Sequence, residues 1–301
     1  MKYFKVKAKH SAPRYRITRN NFVKYTLNKY PFEQGNSRGN LSQYAICPSC
    51  SNTIQLIGLT HATKVTPHGK HTGKSIKGFT PWNQQKYIFC PFAKHSEYIP
   101  PNDEMLLPNI TKDVIELYEL LKNNFDRAVF LLEKSMNIKC SNNFWKKSLL
   151  QYITNKTYLY PWLTEANLPY VFALRGMTQQ SCFGQQFVKD SSVFYALSKY
   201  QGIKFVASYK NNYEVLRNNE SKFIKPVFRL TNHKQTASTG DILKETMDLY
   251  IDDNSNGITI YKKRIEFDET FFQNLIHSKS ANVYRNKDLL NLASEIMTDI
   301  S

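Results

Sequence analysis

A mixed α+β protein is predicted by three features of this 301-residue sequence. A Cys-Pro-Ser-Cys knuckle lies between two β-like runs, helical stripes run from residue 110 to 154, and alternating β-branched and aromatic runs follow Gly202. The expected architecture has three parts. A zinc-ribbon or treble-clef-like module spans 1–105, a helical region spans 106–201, and a mixed region with a β-hairpin and a C-terminal helix spans 202–301.

Within the first part, Lys2–Lys9 alternates as an edge strand does, and Arg14–Tyr30 reads as a strand followed by a short helix. Gln34–Asn40 is a loop by composition. Tyr44–Ile46 and Thr53–Leu59 flank the knuckle at Cys47 and Cys50 as the arms of a hairpin. Residues 61–86, rich in Gly, Lys, His and Thr, read as an extended loop ahead of Cys90.

The period then changes. Ile110, Val114, Leu117, Tyr118 and Leu121 form one apolar stripe, with Asp113 and Glu116 placed where the dipole of a helix start favours acids. Phe125, Val129, Leu132 and Met136 form a second stripe, and Trp145, Leu149 and Tyr152 a third, over 142–154. Leu159–Trp162 reads as a break, and Ser191–Tyr200 as a further helix. Ile203–Ser208, Phe223–Leu230, Met247–Asp252 and Ile258–Phe267 are strand-like, the last two joined through Asn256-Gly257 as a hairpin turn. One or two helices close the chain from Phe271.

The charge is unevenly spread. Of a net charge of +17, +14 falls in the first 100 residues, where 16 Lys and Arg face only Glu33 and Glu97. That imbalance implies a polyanionic partner. An aromatic content of 14%, with 19 Tyr and 19 Phe, argues against an intrinsically disordered chain. The N-terminus lacks a secretory apolar core, and no apolar run approaches the roughly 20 residues that span a bilayer. Five cysteines, three of them in the first third, form no disulfide framework and suit a reducing, cytoplasmic setting. Cys140 and Cys182, without partner spacing, read as buried thiols, and His10, His233 and His277 receive no role.

Structural zinc takes four tetrahedral ligands, and two thiolates two residues apart chelate through one tight turn. Cys47 and Cys50 are one such pair, and Cys90 with His95 the second. His71, His68 and His61 are the alternatives for the fourth position. For phosphate contacts the candidates are Arg14, Arg16, Arg19, Lys64, Lys70, Lys74 and Lys77, with Tyr15, Phe22 and Tyr25 interleaved among the cations of the first 30 residues.

Three other motifs match known sites only in part. The loop His68–Ser75 ends in Gly-Lys-Ser, but three residues lie between its glycines where a phosphate loop needs four. Asp252–Gly257 opens like a calcium loop, yet Lys263 stands where a bidentate glutamate belongs. Glu220-Ser221-Lys222 matches the end of a metal-nuclease strand but needs a second carboxylate, with Asp190 as the candidate. The function expected from these residues is a non-catalytic, zinc-stabilised DNA- or RNA-binding protein, possibly a subunit of a larger nucleoprotein assembly. The rival readings are a metal-dependent nuclease using C-terminal carboxylates and a protein–protein adaptor with a basic face.

Overall fold

A computed structural model describes the chain apart from residues 9–11, 36–38, 60–64, 89, 91, 94–105, 162, 210, 220–222, 238–242, 278–283 and 301. It is an α+β protein with antiparallel sheets. Two compact units are present, one of Met1–Pro101 with Gln235–Lys244 and one of Asn102–Lys234 with Glu245–Ser301. The regions 106–201 and 202–301, divided in the sequence reading, thus contribute to the same unit, apart from 235–244.

In the first unit β1 (Tyr3–Phe4) pairs antiparallel with β2 (Tyr15–Arg16), and α1 (Arg19–Thr26) follows at once. Thr18 starts α1 by accepting the Asn21 N–H on its side-chain oxygen at 3.2 Å. A four-stranded sheet is ordered β3 (Glu33–Gly35), β4 (Leu41–Ile46), β5 (Thr53–Ile57), β6 (His68–His71). Lys5 exchanges backbone hydrogen bonds with Ile46, which lays the chain after β1 alongside the end of β4. The short helix α2 (Gln84–Ile88) completes the unit. Its core is small: Phe4, Ile17, Phe22, Ala45, Ile54, Leu56 and Leu59, closed by the thiols of Cys47, Cys50 and Cys90.

The expected loop over 61–86 therefore contains a strand and the start of a helix. The strand escapes a hydrophobicity pattern because His-Gly-Lys-His is polar and lies at the end of the sheet. Its one buried position is Gly69, where a Cβ would lie 2.9 Å from Ile54 Cδ1 and 3.0 Å from Met1 Cγ. The core there is filled by neighbours reaching over the glycine.

The second unit begins with α3 (Lys112–Asn123) and α4 (Phe125–Met136), followed by β7 (Ile138–Lys139) and α5 (Asn142–Thr154). Thr111 caps α3, so Ile110 lies outside it and is exposed. After a 3-10 turn at Thr157–Leu159 comes α6 (Leu168–Gly176), which the sequence did not announce. This helix is buried nearly all round and shows no stripe. Gly176 lets it approach α5 closely: a Cβ there would sit 2.8 Å from the Ser148 carbonyl oxygen. Phe125, Trp145, Tyr152 and Phe172 interlock edge to face or tilted between these helices.

The chain continues through β8 (Gln186–Val188), α7 (Ser192–Ser198), β9 (Ile203–Ala207) and β10 (Tyr213–Asn218), giving a sheet in the order β7-β8-β10-β9. β11 (Pro226–Ala237), β12 (Leu243–Asp253) and β13 (Ile258–Glu266) form a three-stranded sheet, and α8 (Glu269–His277) and α9 (Lys287–Ile296) end the unit. The β12–β13 hairpin forms as expected, with Gly257 at φ +66°. Cys140 and Cys182 are buried thiols. Among the described residues, no helix is long and apolar enough to cross a membrane.

Candidate metal centre

Four side chains converge in the first unit. One ligand atom each from Cys47, Cys50, His71 and Cys90 lies within 4.8 Å of all the others. The β4–β5 hairpin delivers the first two. Its turn is closed by the Cys47 N–H donating to the Asn52 carbonyl at 2.9 Å and the Ser51 N–H donating to the Cys47 carbonyl at 3.2 Å, with Ser51 in the left-handed region at φ +57°. His71 is the last residue of β6, paired with Ile54 on β5. Cys90 follows α2, its N–H bonded to the Tyr87 carbonyl at 3.0 Å.

Three of the six separations fit a tetrahedral ion. Bonds of about 2.3 Å to sulfur and about 2.0 Å to imidazole nitrogen put ligand atoms roughly 3.5–3.8 Å apart. Cys47 Sγ and Cys90 Sγ are 3.7 Å apart, too far for a disulfide. His71 Nε2 is 3.3 Å from Cys50 Sγ and 3.7 Å from Cys90 Sγ. A metal ion can be held by these four residues.

Burial opposes ionisation at all three thiols. Cys47 is nevertheless held well below the ordinary thiol value, because Cys50, Cys90 and His71 hydrogen-bond to its sulfur. Cys50 and Cys90 are pushed well above that value, by burial and then by the neighbouring Cys47 sulfur. The protein's own groups favour ionisation only at Cys47, so ionising all three neighbouring thiols calls for a cation.

A second layer of contacts fixes the ligands. The His71 ring meets Tyr87 edge-on at 5.0 Å and Trp82 at 6.2 Å. The buried Asn52 side chain donates to the Asn83 carbonyl and accepts the Asn83 N–H, both at 2.8 Å. Asn83 in turn accepts the Lys86 N–H at 2.9 Å and so starts α2. This tie runs from the hairpin of Cys47 and Cys50 to the helix that carries Cys90.

Of the expected ligands, Cys47, Cys50 and Cys90 come together, and His71 occupies the fourth corner. His95 and His61 lie outside the described residues, and His68 stands at the far end of β6 with Nδ1 3.0 Å from the Thr66 carbonyl oxygen. Trp82, Tyr87, Asn52 and Asn83 were not anticipated. Two aromatic residues in a polar stretch were the available signal. Arg14, Arg16, Arg19, Lys70, Lys74 and Lys77 are all exposed, and Lys64 lies outside the described residues.

The other motifs are accounted for locally. Gly73 has φ +70°, and no helix starts after Gly73-Lys74-Ser75. Asp253 accepts hydrogen bonds from the Lys225 and Ser255 N–H groups, Asn256 and Tyr200, while Asp252 pairs with Arg229, so both acids of the calcium-like turn have protein partners. Glu220-Ser221-Lys222 lies outside the described residues, and Asp190 accepts from the Tyr195 hydroxyl at 3.1 Å. His233, given no role, is buried between Tyr160 at 3.4 Å and Glu245 at 2.8 Å. No protein-family model, curated protein or solved structure matches this chain.

Proposed function

We propose that this chain is a non-catalytic, zinc-stabilised nucleic-acid-binding protein, whose first unit is a zinc-ribbon-like module working in the reducing environment of the cytoplasm. The observation that carries the reading is the Cys47–Cys50–His71–Cys90 cluster set in a surface almost without acids. Three cysteine sulfurs and an imidazole nitrogen gathered within 4.8 Å suit zinc better than the harder divalent ions, which prefer oxygen. Structural zinc contributes about 10–16 kcal/mol in small modules, enough to hold a unit whose apolar core is this slight. Charge supports the nucleic acid: between residues 1 and 96 Glu33 is the sole acid against 16 Lys and Arg. Such a surface binds phosphates without reading sequence.

Two measurements on the purified chain test this. Elemental analysis should return close to one equivalent of zinc. Binding to DNA and RNA oligonucleotides, followed from about 50 mM salt upward, should weaken on a log–log slope of about −2 or steeper as cations leave the phosphates. A folded protein with less than half an equivalent of zinc would remove the metal part. Absence of binding at low salt would remove the nucleic-acid part and leave the adaptor reading.

A further inference from the structure

Two basic stretches, distant in sequence, adjoin in the first unit. The first is β2, α1 and the turn after it. It carries Arg14, Arg16, Arg19, Lys24 and Lys29, all exposed, and residues 1–32 contain no acid. Only Phe22 and Thr26 of α1 are buried. The second is the loop with Lys74 and Lys77. Gln34 joins them: its Nε2 donates to the Pro31 carbonyl at 2.8 Å and to the Lys77 carbonyl at 3.2 Å. Phe32 and Phe79 meet edge to face at 5.5 Å beside this link.

Aromatic rings stand exposed among these cations. Tyr30 is 57% exposed, and its hydroxyl end and the neighbouring Pro31 pack against Gly78, whose φ of +84° and missing side chain make room for both. A Cβ at Gly78 would lie 2.8 Å from the Tyr30 hydroxyl and 2.9 Å from its Cζ. Tyr25 is exposed on α1, stacked at 3.6 Å on Tyr15, with Lys24 Nζ 5.3 Å from the ring centroid. Aliphatic and aromatic groups left in water need a reason when several share a surface, and Val23 and Leu27 are exposed here too.

The chemistry selects the occupant. Lys and Arg attract phosphate in any nucleic acid, but a duplex hides the faces of its bases within its own stack. An unpaired strand offers them, and an exposed aromatic ring can take one. We propose that Tyr30, exposed where the turn after α1 meets the Lys74–Lys77 loop at Gly78, is a stacking site for unpaired bases, with Tyr25 on α1 as a second ring, so that the module takes single strands ahead of duplex. This inference rests on the nucleic-acid reading above and narrows it.

The test uses the full chain and labelled oligomers of about 12 nucleotides, as single-stranded DNA, single-stranded RNA and a DNA duplex. The wild type should bind single strands more tightly than duplex, and the DNA and RNA arms show which sugar is preferred. Tyr30→Ala should weaken single-strand binding about ten-fold, within the range of one lost base stack, and change duplex binding less than about two-fold. Tyr30→Phe and Tyr30→Trp should retain the affinity that Tyr30→Leu loses. Photo-crosslinking of the unmodified protein to single strands should label Tyr30 or Tyr25, a readout that does not depend on any variant folding.

Unchanged single-strand binding in both Tyr30→Ala and Tyr25→Ala overturns the stacking site while the nucleic-acid reading stands. So does an equal loss on single strands and duplex, or crosslinks confined to other segments. Binding of polyglutamate as tight as that of any oligonucleotide points to an acidic protein partner and overturns it as well. Failure of every oligonucleotide to bind removes both this inference and the reading beneath it.

Discussion

Asn52 and Asn83, thirty-one residues apart, exchange two hydrogen bonds of 2.8 Å, the side chain of one reading the backbone of the other. The pair copies one step of a β-ladder where no strand exists. Through it the knuckle hairpin is held against the start of α2, and so against the helix that presents Cys90. Asn52→Ala removes both bonds at a buried position and should cost about 2–3 kcal/mol, with looser metal binding. Thermal melts and competition with a chromophoric chelator measure the two effects. A variant with wild-type melting and metal retention would contradict the positioning role.

Removal of the metal should act on one unit. Trp82 lies beside His71, whereas Trp145 sits in the helical core of the second unit. Chelation, or the His71→Ala substitution, is expected to move Trp82 emission to longer wavelength and to open the first unit to protease. The α4–α6 core should keep its slow amide exchange. Hydrogen exchange read by mass spectrometry decides this; uniform loss of protection along the chain is the contrary result.

Acid sensitivity should come from the β11–β13 sheet. Burial opposes charge on Asp248, but Arg264 and Asn232, at 3.0 and 3.1 Å, and nearby Lys262 outweigh it and leave its pKa below the ordinary value. Asp253 is likewise opposed by burial and held low by the donors around the hairpin turn. A carboxyl with a lowered folded-state pKa contributes stability above its unfolded pKa of about 3.9, and loses it as pH falls toward the folded value. Stability should therefore drop below about pH 4, and more gently in a Asp248→Asn, Asp253→Asn double variant compared with its own neutral value. Urea midpoints across that range test it, and identical slopes for the two proteins count against it.

Gly176→Ala sets two effects against each other. Alanine is favoured over glycine inside a helix by about 1 kcal/mol. The added Cβ, however, would meet the Ser148 carbonyl at 2.8 Å, a backbone atom that cannot swing aside. Overlap of this kind costs about 1–3 kcal/mol, so the net change should be destabilising. Equilibrium unfolding gives the sign directly, and a stabilised variant would show that α5 and α6 can separate freely.

Glu245 anchors a buried polar cluster of the second unit. Its Oε2 accepts from His233 Nε2 at 2.8 Å and Asn167 Nδ2 at 2.9 Å, and all three residues are buried. Glu245→Ala withdraws that acceptor from both and should cost about 3 kcal/mol or more. Joint replacement, Glu245→Leu with His233→Leu, should cost less than the single change. Denaturant midpoints of the single and double variants compare the two.

The parts of this fold that were legible are those that present one apolar face. Val114, Tyr118 and Leu121 line the buried side of α3, and Asn256-Gly257 marks the hairpin turn. α6 was hidden for the opposite reason: Tyr170, Val171, Phe172 and Ala173 are all buried, so burial has no period to display. β6 was hidden because its inward position is a glycine. At the candidate site, the two cysteines of the knuckle are readable because a tight turn fixes their separation. The fourth ligand is not, since His71 reaches the sulfurs through the pairing of β6 with β5, and sequence distance says nothing about that register. The cations were countable from composition. That Tyr30 stands over Gly78, beside Lys77, depends on a loop folding back over more than forty residues.

The ligand set also has a temporal meaning. Cys47 and Cys50 belong to one hairpin, but Cys90 lies forty-three residues after Cys47 and arrives by a different element. A chain leaving the ribosome therefore exposes the knuckle, a two-thiol bidentate claw, well before the closing sulfur exists. Until Cys90 emerges, an ion held there has at most the two knuckle thiols and His71, and stays exchangeable. Completion of the four-residue cluster is thus a single late event, timed by the appearance of Cys90.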